Sequence, residues 1–263
     1  MEPTTITTPA TSRVQPTKAR RHLAPAPQPV INPTVSLVVP TLNEAKNLPA
    51  LFGGLPDLHE VIIVDGRSTD GTIEEAERLR PDVRIVREER AGKGHALSAG
   101  FEAATGDVVV MIDADGSMDP GEIESFVEAL KNGADFVKGS RYMRGGGSTD
   151  LTLIRSTGNR TLTMMVNVLF GTGYTDLCYG YNAFWRRHLD ALEVDCAGFE
   201  VETLMNIRAA KAGLRIAEVP SFETDRIHGE SNLNAWRDGW RIARVIASET
   251  FRRRRKRQAP AAA

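Results

Sequence analysis

The sequence predicts an α/β fold, a mostly parallel central sheet flanked by helices. Three observations predict it. Short apolar, β-branched runs recur between residues 35 and 112; helical stretches separate them; and three of the runs end in acidic and polar clusters.

Taken in order, VSLVVP (Val35 to Pro40) reads as a buried parallel strand. Asn43 and Glu44 then open a helical stretch to about Leu55. VIIV (Val61 to Val64) is the second strand, ending at Asp65-Gly66, and Asp70-Gly71 leads into a Glu-, Arg- and Ala-rich helix. VRIV (Val83 to Val86) is the third. Gly92 to Ala104 reads as a helix, with Ala96, Leu97, Gly100 and Ala104 on one face. VVVMI (Val108 to Ile112) is the fourth and most hydrophobic strand, running directly into Asp113-Ala114-Asp115. A helix after Asp119-Pro120, FVKGSRY (136–142), a Gly-rich loop at 145–147 and an amphipathic helix at 154–170 follow. TDLCYGYNAFW (175–185) reads as irregular and strand structure, and 199–212 as a helix with a mixed face. RIAEVP (215–220) is a late strand, and a helix spans about Ala235 to Phe251. This alternation predicts right-handed βαβ units, whose ligands bind at the carboxyl ends of the strands.

The chain has 263 residues and 41% apolar composition, enough for one sizeable domain. Seven of its 14 prolines lie in the first 33 residues, beside Arg13, Lys18, Arg20 and Arg21, with Glu2 the lone acid there. Residues 1–33 are therefore expected to be a disordered basic arm, 34–251 the folded domain, and 252–263, opening with RRRRKR, a disordered basic tail. The proline density argues against an organellar transit helix, and no apolar segment suits a secretory signal or a membrane span. The formal net charge of −1 divides into +3, −10 and +6 over those three segments. An acidic body with basic ends suits contact of the tail with an anionic membrane, with no nucleic-acid partner expected. Cys178 and Cys196 are expected to be buried free thiols of a reducing compartment.

Asp113 and Asp115, one residue apart at a strand end, can both approach a hard divalent cation such as Mg²⁺ or Mn²⁺. Such a metal would act as a Lewis acid on a departing nucleoside diphosphate. Asp65 lies at the mouth of the same crevice and can accept from a base edge or ribose, with an Asx-turn as the bland alternative. Asp70 suits turn and cap chemistry. Lys93, between two glycines, suits an anion. Trp236 and Trp240 share a helix face, with core packing as the default and a lipid interface as the alternative.

VVPTLNEAKNL, VDGRSTDGT, RAGKGHALSAGF, GDVVVMIDADG and KGSRYMRGG together resemble the family 2 glycosyltransferases. The closest likeness is to the dolichyl- and polyprenyl-phosphate mannose and glucose synthases, over about Val35 to Trp236. The resemblance implies a Rossmann-like GT-A fold, a nucleotide-sugar donor (GDP-mannose or UDP-glucose), a lipid-phosphate acceptor and a cytoplasmic location with peripheral membrane contact. It matches Pro40, Asn43 and Glu44 to the first donor loop, Asp65 to the nucleoside contact, and Asp113, Ala114 and Asp115 to the metal and diphosphate site. Arg141 matches the acceptor-phosphate arginine, with Arg155 and Arg160 behind it. Glu200 and Glu202 fall at a late acidic motif and are the general-base candidates if the acceptor is a sugar hydroxyl. His228 is a candidate late metal ligand. GESNLN (229–234) resembles a GxSK segment, but Asn232 replaces its lysine, and Ser117 stands where that branch often has Gln. The alternatives are transfer to a sugar hydroxyl in polysaccharide synthesis, or a sugar-phosphate nucleotidyltransferase. The latter usually has a Gly-rich first loop, whereas PTLNEAKN has no glycine.

Overall fold

The computed structural model describes residues 30–230 and 234–252. Nearly all of the expected basic arm and tail lie outside these residues; Val30 to Pro33 and Arg252 carry no helix or strand.

The expected strands form. In chain order the elements are β1 (Val35–Thr41), α1 (Leu48–Gly53), β2 (Glu60–Asp65), α2 (Thr72–Leu79), β3 (Arg84–Arg87), α3 (Lys93–Ala103), β4 (Val108–Met111), α4 (Ile123–Lys131), β5 (Phe136–Ser140) and β6 (Gly147–Ser148). There follow α5 (Leu153–Phe170), β7 (Asn182–Trp185), α6 (Leu189–Leu192), α7 (Val201–Ala212), β8 (Ile216–Pro220), β9 (Phe222–Glu223) and α8 (Ala235–Phe251).

Seven strands form one sheet in the order β3-β2-β1-β4-β7-β5-β8, and β6 and β9 form a small parallel pair. Only β7 runs antiparallel, to both β4 and β5. The strand order reverses between β1 and β4, which opens a crevice at their carboxyl ends. Period-2 alternation builds two cores. Leu37, Val39, Ile63 and Val110 pack on one side with Leu48, Leu51 and Phe126. Val38, Ile62, Val64 and Val109 pack on the other with Leu97, Phe101, Val201 and Met205. At Gly100 the helix α3 lies so close to the sheet that a Cβ would collide with Val38 and Val64.

Four expectations change. The first helix begins at Leu48, because Asn43 has φ 59°, left-handed backbone from which a right-handed helix cannot start. Helix α7 is buried from Val201 to Ala209, so it has no mixed face. Cys178 and Cys196 are free but half-buried. Trp236 and Trp240 are not core residues, being 87% and 63% exposed.

Candidate functional site

A cleft of about 700 Å³ opens at the carboxyl ends of β1, β2 and β4. Pro40, Glu44, Lys93, Asp113, Ala114 and Asp115 all line it, so residues up to 75 positions apart meet there. The chain leaves the sheet immediately after β4, which is why both aspartates face the opening.

Each aspartate already holds a protein cation. Lys93 Nζ lies 2.6 Å from Asp113 Oδ1 and 2.7 Å from Glu202 Oε1. Arg226, in the loop after β9, bridges Asp115 Oδ2 and Glu44 Oε1, at 2.9 Å each. Asp115 Oδ1 accepts from the Ser117 amide at 3.0 Å. Burial alone would lower Lys93, but Asp113 and Glu202 hold it above its ordinary value. Burial raises both Glu202 and Glu44, against the pull of their cations. Lys93 is thus engaged as a counter-ion within the carboxylate cluster. Its flanking glycines serve chain packing, since a Cβ at Gly92 or Gly94 would strike the backbone of Ala197 or Cys196.

The first two loops are stitched together. Asn43 Oδ1 accepts from the Thr69 amide at 2.9 Å, and Ser68 Oγ accepts from the Asn43 amide at 2.8 Å. Asp65 accepts from the Arg67 and Ser68 amides through Oδ2, while its buried Oδ1 has no partner among the described residues. Asp70 takes the expected turn role, accepting from the Thr72 amide at 3.1 Å.

The far wall carries arginines. Arg141 lines the cleft, but its guanidinium is largely committed. Nε and Nη2 fork onto Asp176 at 2.7 and 3.0 Å, Nη1 reaches Glu223 at 2.9 Å, and Tyr179 lies beneath at 4.8 Å. Asp176 is fully buried and also accepts from Asn159. Burial would raise Asp176, yet the hydrogen bonds from Arg141 hold it below the ordinary range. Arg155 lines the cleft and pairs with Asp150 at 2.7 Å. Arg160 instead stacks on Tyr142 at 5.0 Å and is not part of the lining. Arg237 and Arg241 of α8 also line the cleft. The sequence reading passed over these two and Arg226; an Arg pair four apart beside two tryptophans was the available signal for the former, and a lone loop arginine gave none for the latter.

Glu202 lines the cleft, whereas Glu200 stands behind it. Glu200 Oε1 accepts from the Gly198 amide, and its buried Oε2 has no partner among the described residues. His228 is exposed and does not line the cleft; its carbonyl accepts from Asn47. Of the GxSK-like segment, Ser231, Asn232 and Leu233 lie outside the described residues. Among the described residues no group of three or more His, Cys, Asp or Glu side chains is placed to hold a metal ion.

A family model described as "Glycosyl transferase family 2" matches residues 36–192. The chain is 34% identical over 213 residues to the polyprenol monophosphomannose synthase of Mycolicibacterium smegmatis, covering 75% of this chain and 80% of that one. It is 34% identical over 215 residues to the undecaprenyl-phosphate mannosyltransferase of Micrococcus luteus, covering 76% and 87%. Among solved structures it resembles glucosyl-3-phosphoglycerate synthase from Mycobacterium tuberculosis in complex with Mn²⁺, UDP-glucose and phosphoglyceric acid. That likeness has a TM-score of 0.66 at 25% identity and covers 83% of this chain and 80% of the other.

Proposed function

The chain belongs to glycosyl transferase family 2 and has the GT-A fold, and on that premise we propose that it is an inverting glycosyltransferase moving a hexose from a nucleotide-sugar, GDP-mannose or UDP-glucose, to a polyprenyl or dolichyl phosphate. The observation that carries this reading is that one cleft gathers Asp113, Asp115, Glu44 and Glu202 with their counter-ions Lys93 and Arg226, and also carries Arg141, Arg155, Arg237 and Arg241. The curated relatives' names carry the acceptor class.

On the donor side, Pro40, Asn43 and Glu44 shape the first loop. The unpartnered Oδ1 of Asp65 is free to accept from the nucleoside. Asp113 and Asp115 supply hard oxygen donors, which fit Mg²⁺ or Mn²⁺ completing its shell with substrate phosphates and water; such a cation would neutralise the leaving diphosphate. Lys93 and Arg226 hold those carboxylates in the absence of donor and become available to phosphate oxygens when it binds.

On the acceptor side, a phosphate monoester has a second pKa of about 6 and is largely dianionic at pH 7. It needs orientation by cations more than it needs a general base. Arg155, Arg237 and Arg241 are the arginines for that task, and Arg141 fixes the wall by bracing Asp176 and Glu223. The position of Glu200 behind the cleft and the pairing of Glu202 with Lys93 favour a phosphate over a sugar hydroxyl, which would require one of them as base.

Residues 34–251 form the catalytic unit on this reading, and the basic tail adds peripheral contact with anionic lipid at the cytoplasmic face. Arg252 is already taken by Glu193, Asp195 and Glu249, at 3.1 to 3.3 Å, so lipid contact falls to residues 253–257. Among the described residues no helix is long and apolar enough to cross a membrane.

The test is a donor panel with Mg²⁺ or Mn²⁺, run with and without a short-chain polyprenyl phosphate. Donor consumption should rise sharply with the lipid phosphate for one of the two nucleotide-sugars. Consumption that responds to free sugars and not to lipid phosphate would overturn the acceptor assignment.

A further inference from the structure

Gly66 and Arg67 stand in the reverse of the order that their backbone asks for. Arg67 has φ 72°, the left-handed region that glycine enters freely and an arginine enters only against its Cβ. Gly66 beside it is not among the residues with positive φ, and a Cβ there would come no closer than 3.4 Å to the Thr41 carbonyl oxygen. Exchanging the two residue types would relieve the chain, so the turn by itself gives no reason for an arginine at 67. The conformation is nevertheless held firmly. Asp65 Oδ2 accepts from the amides of Arg67 and Ser68 at 3.0 Å each, and the Gly66 amide donates to the Thr41 carbonyl at 2.9 Å. A strained residue that its surroundings keep in place points to a task for its side chain.

That side chain lines the cleft. Its guanidinium makes no hydrogen bond or ion pair with any described residue. In this it differs from Lys93, Arg141, Arg155 and Arg226, each of which faces a carboxylate at 2.6 to 2.9 Å. Its neighbours along the rim are apolar. Pro40 and Leu42 at the end of β1, and Ala91 beyond β3, line the cleft on either side of it, since β1 and β3 flank β2.

Its position says which part of a ligand it meets. Arg67 follows β2, whereas Asp113 and Asp115 follow β4, on the other side of β1. Neighbouring strands are about 4.8 Å apart, so these two ends lie roughly 10 Å from one another. That is the reach of a nucleoside diphosphate from its base to its second phosphate. With the diphosphate at the paired aspartates, the base comes to Arg67, among the apolar residues.

We propose that Arg67 reads the donor's nucleobase and selects guanine over uracil. Guanine presents O6 and N7 as adjacent acceptors, and a guanidinium fork matches both with parallel hydrogen bonds. Uracil presents O4 with a C–H beside it and satisfies only one arm of the fork. An arginine on phosphate would serve every nucleotide alike and would belong beside the aspartates, not two strands away. This role rests on the nucleotide-sugar reading above, and it narrows the donor to a guanosine diphosphate sugar whatever the acceptor.

The test is calorimetric binding of GDP, UDP and 7-deaza-GDP, with Mg²⁺, to the full chain and to its Arg67→Gly and Arg67→Lys variants. 7-Deaza-GDP carries carbon in place of N7 and so removes one acceptor of the pair. The wild type should bind GDP about 30-fold more tightly than UDP, and 7-deaza-GDP about tenfold more weakly than GDP. Both variants should lose most of the GDP preference and bind GDP and 7-deaza-GDP alike, because lysine keeps the charge but not the fork. Arg67→Gly should melt at the wild-type temperature or above, since glycine fits the turn. A wild type that prefers UDP, or a GDP preference that survives in Arg67→Gly, would overturn the assignment. Equal losses of GDP and UDP would also overturn it, by placing Arg67 on the phosphates. So would a clearly lower melting temperature of Arg67→Gly, which would make Arg67 a brace of the turn. If neither nucleotide binds the wild type, the nucleotide-sugar reading falls together with the base assignment. Selective GDP binding without sugar transfer to lipid phosphate would uphold Arg67 and remove only the acceptor.

Discussion

The two walls of the cleft solve opposite electrostatic problems. On the donor wall, four carboxylates converge and are neutralised from within, by Lys93 between Asp113 and Glu202 and by Arg226 between Asp115 and Glu44. On the acceptor wall, Arg141 is sealed in a buried pair, while Arg155, Arg237 and Arg241 stand at the opening and the helices behind them turn apolar residues outward. The donor wall is complete without ligand, so its ligands must exchange one set of charge partners for another. The arginines at the opening of the acceptor wall have single partners, Asp150 for Arg155 at 2.7 Å and Asp238 for Arg237 and Arg241 at 3.3 and 3.5 Å, and the latter two stay exposed. The first arrangement suits a small charged substrate and the second an extended one.

The largest effect should come from removing a donor-wall oxygen. Asp113→Ala or Asp115→Ala should lower kcat/KM by about 1,000-fold, roughly 4 kcal/mol of transition-state stabilisation, with Tm nearly unchanged. Steady-state kinetics and a thermal melt check this; near-normal activity of both variants, or of the wild type in EDTA, would remove the metal role.

The acceptor wall should respond in stability instead. Arg141→Ala strands Asp176, which is fully buried, and Glu223 at 7% exposure, so unfolding should become easier by about 3–5 kcal/mol. That shift is readable in the urea midpoint. A variant as stable as the wild type and deficient only in acceptor use would make Arg141 a phosphate ligand and not a brace.

Internal neutralisation predicts competition. Arg226→Ala frees Asp115 and Glu44, so Mn²⁺ affinity without donor should rise by about fivefold, roughly 1 kcal/mol for a pair at this exposure. Calorimetry measures it, and an unchanged or weaker affinity would mean that Arg226 does not compete with the metal.

Acid should separate the two walls. Burial raises Glu44 and Glu202, so they take up protons first as pH falls, and their protonation adds no instability. Asp176, held low by Arg141, contributes stability that is present above the ordinary aspartate value of about 4 and is lost as pH falls through its lowered value. As pH falls toward the ordinary carboxylate range, Mn²⁺ affinity should therefore fall first while Tm holds, and Tm should drop only below about pH 4. A Tm that fell first would break the comparison.

The donor wall was legible in the sequence, and the acceptor wall only in part, through Arg141 and Arg155 but not Arg237 and Arg241. The reason is the range of the signals. VVVMI followed at once by Asp113-Ala114-Asp115 places both carboxylates at a strand end by chain continuity alone. The same pattern does not say that Lys93 and Arg226 fill the space between the acids, because those contacts join β4 to α3 and to a loop about 110 residues further on. The start of α1 was misplaced because Asn43 is a residue type that tolerates left-handed backbone. The antiparallel run of β7 is invisible to periodicity, which gives the pitch of a strand and not its neighbour. Amphipathicity of 154–170 and of 235–251 was visible, but the pattern does not reveal that the inward faces mix polar Asn159, Asp238 and Glu249 with apolar Val166, Ile242 and Ile246.

The most direct test of sugar transfer to a lipid phosphate is ³¹P NMR of the acceptor after turnover with the preferred nucleotide-sugar. A phosphate monoester titrates with a pKa of about 6, so its resonance moves between pH 5 and 7. Once the sugar is attached the phosphate is a diester with no second ionisation. The account predicts that the titrating acceptor resonance is replaced by one that does not move with pH, in amount equal to the nucleoside diphosphate released. Donor consumed while the titrating resonance persists undiminished would contradict it.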